Sequence, residues 1–260
     1  MPTPSAERCR MSSLFSKNRI ITLASSIGLV LIWQLLAVGM GSRQILPGPS
    51  DTFEALVNLT GEPGFWPSIG LTLIRGLYGF VLALASGLLV GVLSGLHPGV
   101  EAAFRPVLVT IRSVPVISVI LLALIWFRID HVPVFIGFLT MFPILAKNLY
   151  EGIRQTDRGL IEMARVYKVS DFRILTEIHL PSVMPYLLSG ISTATGFGWR
   201  AIIIGEVLSQ PRYGIGTMMQ KAQSFILVSE LIAWTLIAVL FGYLFESLVL
   251  LAEKRTVRWK

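Results

Sequence analysis

The stretch GFVLALASGLLVGVLSG, residues 79–95, holds no charged side chain and places a small residue at every fourth position: Gly79, Ala83, Gly87, Gly91 and Gly95. In an α-helix, residues four apart lie above one another on one face. The five therefore predict a smooth ridge along which a second helix backbone approaches closely. Lipid tails gain nothing from such a ridge, so it belongs in the interior of a membrane bundle. A shorter version recurs at Gly190, Ala194 and Gly198. The reading that follows is an all-α, polytopic helical bundle.

Composition agrees. Of 260 residues, 53% are hydrophobic and 14% charged, against about 25% charged in ordinary soluble domains. Six apolar segments approach the length that crosses a ~30 Å hydrocarbon layer: 20–40, 71–96, 106–127, 132–149, 185–208 and 231–251, the fourth being the shortest. The whole chain, 1–260, reads as one transmembrane domain with an amino-terminal tail 1–19, a long loop 150–184 and a basic tail 252–260. Fifteen Lys and Arg residues fall on the side of the termini and that loop, and four (Arg43, Arg128, Arg212, Lys221) on the other. Positive charge stays in the cytoplasm, which places both termini and the 150–184 loop there. The net charge of +7 is thereby an orientation signal, with no surplus pointing to nucleic acid. The lone Cys9 forms no internal disulfide and follows no apolar run, which argues against a lipoprotein signal; segment 20–40 lacks the cleavage site of a removable signal peptide. In the outer loop after it, Ser50-Asp51 is expected to cap a short helix reaching Leu56. Pro115 and Pro143 are expected to kink the third and fourth spans.

Reactive chemistry is missing. No G-x-x-x-x-G-K-[ST] phosphate loop occurs, so ATP has no site of the usual kind here. His97, His131 and His179 lie in or beside loops, without metal-ligand spacing, and no Gly-x-Ser-x-Gly elbow is found. These absences argue against an enzyme and against a bound metal.

The 150–184 loop contains IEMARVYKVSDFRILTEIHLP, residues 161–181, which is too charged to be a span. Leu160, Ile161, Ala164 and Tyr167 share one helical face. Ser170-Asp171 is expected to cap a second short turn that brings Phe172, Leu175 and Ile178 together before Leu180-Pro181 ends it. Two short amphipathic helices either rest on the headgroups or form a docking knob. Here the sequence resembles the EAA loop of ABC-importer permease subunits. Glu162, Ala164, Ile178, Leu180 and Pro181 match that pattern; Met163 stands where its first Ala is expected and Lys168 where its Gly is. "ILPGPSDTFEAL", "TLIRGLYGF", "IRSVPVISVILLALIWF", "GFGWRAIIIGEVL" and "RYGIG" extend the likeness, which is nearest the nitrate, sulfonate and taurine branch.

The resemblance implies a permease in the bacterial inner membrane with no cofactor of its own; ATP and Mg belong to two partner ATPase subunits. Those would grip Glu162, Met163, Ala164, Tyr167, Lys168, Phe172, Ile178, Leu180 and Pro181. It also implies a second permease copy, an external solute-binding protein and contact with membrane lipids, while leaving the solute open. Charges inside spans default to functional candidates. Arg200 and Glu206 are therefore expected at the translocation pathway or its gate, with Trp199 and Pro115. Arg75 and Arg112 are expected to reach for the headgroups. Rival readings are a stand-alone ion-coupled carrier, for which no internal repeat is visible, and an intramembrane enzyme, for which no nucleophile–base pair can be assembled.

Overall fold

The computed structural model describes residues 4–256; residues 1–3 and 257–260, the ends of the two tails, lie outside the described residues. The described elements are helical: α1 (Pro4–Met40), α2 (Pro49–Thr60), α3 (Phe65–Leu96), α4 (Pro98–Ser113), α5 (Val116–Trp126), α6 (Val132–Arg154), α7 (Arg158–Val166), α8 (Asp171–Arg173), a π turn at Ile174–His179, α9 (Leu180–Ser209), α10 (Ile215–Ser224) and α11 (Val228–Thr256). Among them Phe65–Leu96, Ile129–Arg154, Asp171–Ser209 and Val228–Leu248 are long and apolar enough to cross a membrane; a bent pair adds a fifth, and Ala24–Met40 is a shorter apolar helix. About six spans is thus the architecture.

Contacts gather these residues into two compact units. In the first (Met1–Gly61 with Ala222–Ala233), the Trp33 indole donates to the Pro47 carbonyl at 3.1 Å. The helix expected to end at Leu56 runs on to Thr60 and is capped by Gly48, whose amide donates to the Asp51 carboxylate at 3.1 Å. Asp51 thus serves from the first turn, where a negative charge meets the positive helix end.

In the second unit (Glu62–Lys221 with Trp234–Lys260), α6 lies between α3 and α9. A Cβ added to Gly87 would sit 2.8 Å from Leu145 Cβ; one on Gly91 would sit 2.7 Å from Leu149 Cβ, and one on Gly95 2.7 Å from Ile153 Cβ. The partners advance in step, so α3 and α6 run parallel. On the other side, Gly190 meets Asn148, Gly198 meets Met141 and Gly205 meets Pro133. Here numbers rise on one helix as they fall on the other, so α9 is antiparallel to α6. Ala83 and Ala194, both fully buried, join Phe80, Met141, Leu145 and Ile202 in the core between them. The shortest apolar segment of the sequence is the central helix of this unit.

The third span departs from a single kinked helix. Val114 is extended (φ −73°, ψ 132°) and Pro115 opens a new helix, leaving α4 and α5 bent by 99°. A residue before proline is driven out of the helical region, and proline cannot donate to the preceding turn, so the chain breaks there. Pro143 stays inside the unbroken α6.

Candidate functional site

Glu206 on α9 is 0% exposed. A bare carboxylate there would be very unfavourable, and its oxygens are accordingly met from three directions. Arg75 of α3 donates from Nη1 at 2.7 Å, the Gly216 amide donates at 3.0 Å, and the Thr72 hydroxyl lies 2.9 Å from both oxygens. Thr72 in turn accepts from the Ile215 amide at 2.9 Å. Arg75, 6% exposed, also donates to the Tyr213 carbonyl at 2.7 Å and to Asp130 at 3.2 Å, which stands exposed at the rim. One guanidinium thereby joins α3, α9, the turn after α9 and the short turn Ile129–His131 that precedes α6.

The turn is shaped for this. Gln210 ends α9 in the left-handed conformation (φ 48°), its amide donating to the Glu206 carbonyl, and the chain folds back over the carboxylate. A Cβ on Gly214 would fall 2.7 Å from the Glu206 carboxyl carbon, and one on Gly216 would strike the Ile203 carbonyl. The glycines of RYGIG are what let the backbone come within hydrogen-bonding distance.

Arg200 and Trp199, the other charge-bearing and aromatic candidates of the fifth span, are elsewhere. Six positions separate Arg200 from Glu206, which turns them about 120° apart around the axis. Arg200 is exposed, its guanidinium 6.0 Å from the Phe197 ring, on a cleft of about 560 Å³ shared with Tyr243 and Glu246. Trp199 is buried against Gly242, donates to the Ala238 carbonyl at 2.9 Å and stacks on Phe245, which ties α9 to α11. Arg75 does not reach for headgroups as expected, because Glu206 and the Tyr213 carbonyl hold it inside. Sequence reasoning did not assign Thr72, Arg75, Asp130, Gly214 or Gly216 to the site, although Arg75 and the RYGIG stretch stand out in the sequence for other reasons. One signal existed: a lone arginine in one span and a lone carboxylate in another predict each other, since neither is tolerated unpaired.

The 157–181 segment forms the second element of the site. The Asp157 carboxylate caps α7, accepting from the Gly159 amide at 2.8 Å. At its far end the Val169 amide donates to the Ala164 carbonyl and the Lys168 amide to the Arg165 carbonyl, both at 2.9 Å. This is the double bond pattern that closes a helix through a left-handed residue, and Lys168 takes that conformation (φ 54°) at the position where a glycine was expected. Leu180-Pro181 does not end the next helix. A π turn precedes it and the helix is continuous from Asp171 to Ser209; such a widened turn re-routes the hydrogen-bond ladder around a missing donor. Ala164, 6% exposed, is covered by this chain, as is Ile174 where α7 meets the π turn. Tyr167 does not share its face: it is 77% exposed, and Met163, Val166, Phe172 (74%) and Leu180 are also open. Glu162 and Lys168 are exposed, and Ile178 and Pro181 are half-buried.

Among the described residues no cluster of His, Cys, Asp and Glu is arranged to hold a metal. Apolar helices long enough to cross a bilayer, packed around a buried ion-pair cluster, define the class as a polytopic membrane protein. Residues 84–258 match the family described as the binding-protein-dependent transport system inner membrane component. The chain belongs to that family, and it is a transport permease of the inner membrane. It is 33% identical over 236 residues to an Escherichia coli (strain K12) permease named for aliphatic sulfonates transport, covering 90% of this chain and 89% of that one. It is 26% identical to the taurine transport system permease of the same organism, over 93% and 91% of the two chains, and 29% identical to a bicarbonate transport system permease of Synechococcus elongatus, over 92% and 90%. Its fold matches that of the MetNI methionine ABC transporter, with TM-score 0.55 and 18% identity over 75% of this chain and 95% of that one.

Proposed function

We propose that this permease is the translocating subunit of an ATP-driven importer, taking a small solute from an external binding protein. It works as a pair of permease chains above two ATPase subunits and carries no ATP or Mg site itself. Both termini and the α7–α8 segment face the cytoplasm, a reading that the charge census supports. The relatives named for sulfonates, taurine and bicarbonate point to a small polar solute.

One observation carries the reading: the second helix of the exposed pair is continuous with α9, and α7 packs against it. A push on Phe172 travels along an unbroken helix from Asp171 to Ser209, and that helix bears Glu206; a push on Tyr167 reaches it through the packing of α7 on the π turn. The ion-pair cluster joins it to α3, the turn after α9 and the turn before α6, so movement of the loop is delivered to the bundle as a rigid-body displacement. Loop and cluster together make a lever with its handle in the cytoplasm.

The test replaces Phe172 by Asp and measures two things: co-purification of the cognate ATPase and solute uptake by cells. A desolvated contact that acquires an unpaired charge loses several kcal/mol, so both should be lost while the variant still inserts in the membrane. Unchanged co-purification and uptake would show that the ATPase grips another surface.

A further inference from the structure

Away from both elements of the site, α3, α4 and α6 border a half-open cavity of about 240 Å³. That is slightly below the roughly 300–1,000 Å³ of sites for drug-sized ligands and suits a compact solute. One wall is a single stripe of α4: Glu101, Arg105, Leu108 and Arg112 follow at the spacings of one helical face. Across from it α6 supplies Lys147, Pro143 and Ala146.

The cations in this cavity are not equivalent. Lys147 is bound to Glu151 at 3.3 Å. Arg105 and Arg112 make no hydrogen bond or ion pair among the described residues, and neither is covered by protein. Glu101 lies in the first turn of α4, one turn from Arg105 but eleven positions and about 16 Å along the axis from Arg112; it makes no ion pair with Arg105 and also borders the neighbouring cavity that holds Arg154, so its charge bears least on the Arg112 end. The floor carries a further donor. Ser94 of α3 is 5% exposed and its buried hydroxyl has no partner, though a helical serine ordinarily turns back to the carbonyl four residues before it. A buried hydroxyl left alone is costly, and here it lines the same space as two uncommitted guanidinium groups. Around them Val90, Leu108, Pro143 and Ala146 are apolar.

Guanidinium forks match tetrahedral and planar oxyanions, and an apolar wall beside them accommodates a carbon chain. We infer that the α3–α4–α6 cavity is a binding site for a small oxyanion bearing an apolar tail, held by Arg105, Arg112 and the Ser94 hydroxyl. The shared chemistry of such a ligand has two sources: a free organic anion such as an alkyl sulfonate, or the phosphate of an anionic phospholipid.

Two probes separate the sources. Butanesulfonate binding to the purified full chain in an uncharged detergent is measured by equilibrium dialysis. Phosphatidylglycerol carried through purification from mixed phosphatidylcholine–phosphatidylglycerol bilayers is measured by mass spectrometry. One of the two should bind to the wild type. A charge-assisted hydrogen bond contributes about 1.5–3 kcal/mol, so Arg105→Gln and Arg112→Gln should each weaken that ligand by about tenfold or more. Ser94→Ala should weaken it less, and Arg112→Lys should retain part of it. Arg128→Gln, which removes the same charge from an exposed position outside the cavity, should change nothing. Retention of neither probe by the wild type, or an equal loss in Arg128→Gln, overturns the inference. All these chains must elute as monodisperse helical protein. Binding is read without ATPase or transport, so failure here is separate from failure of the importer reading.

Discussion

Glu206 is sealed from water and Arg75 nearly so, and each is tolerable only because the other is present. Removing one partner of such a pair costs about 3–5 kcal/mol, whereas replacing both by apolar residues of similar volume is often neutral. Glu206→Gln should therefore lower the thermal midpoint of the detergent-solubilised chain sharply, and the double variant Arg75→Met with Glu206→Met should recover much of it. Both are read by scanning fluorimetry. A double variant as unstable as the single would show that the hydrogen bonds to Gly216 and Tyr213, rather than the paired charges, hold the site. Lys168 raises a second question of the same size. A non-glycine residue in the left-handed region costs about 1–2 kcal/mol, so Lys168→Gly should tighten the closing turn of α7. Slower amide exchange at Val169, whose N–H bonds to Ala164, is the expected signature; unchanged exchange would mean that the turn is held by the rest of the loop.

Among the elements, α6 depends on its neighbours having no side chains. Three glycines of α3 face Cβ atoms of α6 at distances no added methyl tolerates, because overpacking forces backbone shifts costing about 1–3 kcal/mol or more. Gly87→Leu should reduce the yield of folded chain several-fold, measured by size-exclusion profile after detergent extraction. Leu88→Val, one residue on and away from Leu145, should leave it unchanged. Equal yields would remove helix approach as the reason for the glycine spacing. The break between α4 and α5 also belongs to this scale: one proline converted an expected kink into a 99° turn, because it acted on the residue before it as well as on its own donor.

At the level of the whole molecule, the loop is a handle only if its exposed side chains face a partner. Ala164 is covered within the chain, so Ala164→Asp tests the loop's own packing, and it should destabilise α7 in the isolated permease. Tyr167→Asp changes a side chain that is already in solvent. It should leave the isolated permease as stable as the wild type and abolish co-purification of the ATPase. If Tyr167→Asp also lowered the stability of the isolated chain, the exposed face would be serving the fold rather than a partner.

Much of this was legible without coordinates. Helical class, approximate spans, the ridge on α3 and the two-helix character of the loop all depend on spacing and polarity along the chain, which hydrocarbon and helix periodicity read directly. What spacing could not supply is the choice of partner across space. Arg75 belongs with Glu206, 131 positions away, and not with the headgroups, because the turn after α9 folds its glycines over the carboxylate and closes off water. Ala164 turns inward while Tyr167 turns out because the π turn packs on one side of α7. Those outcomes depend on which surfaces exclude solvent, and solvent exclusion is a property of the assembled helices.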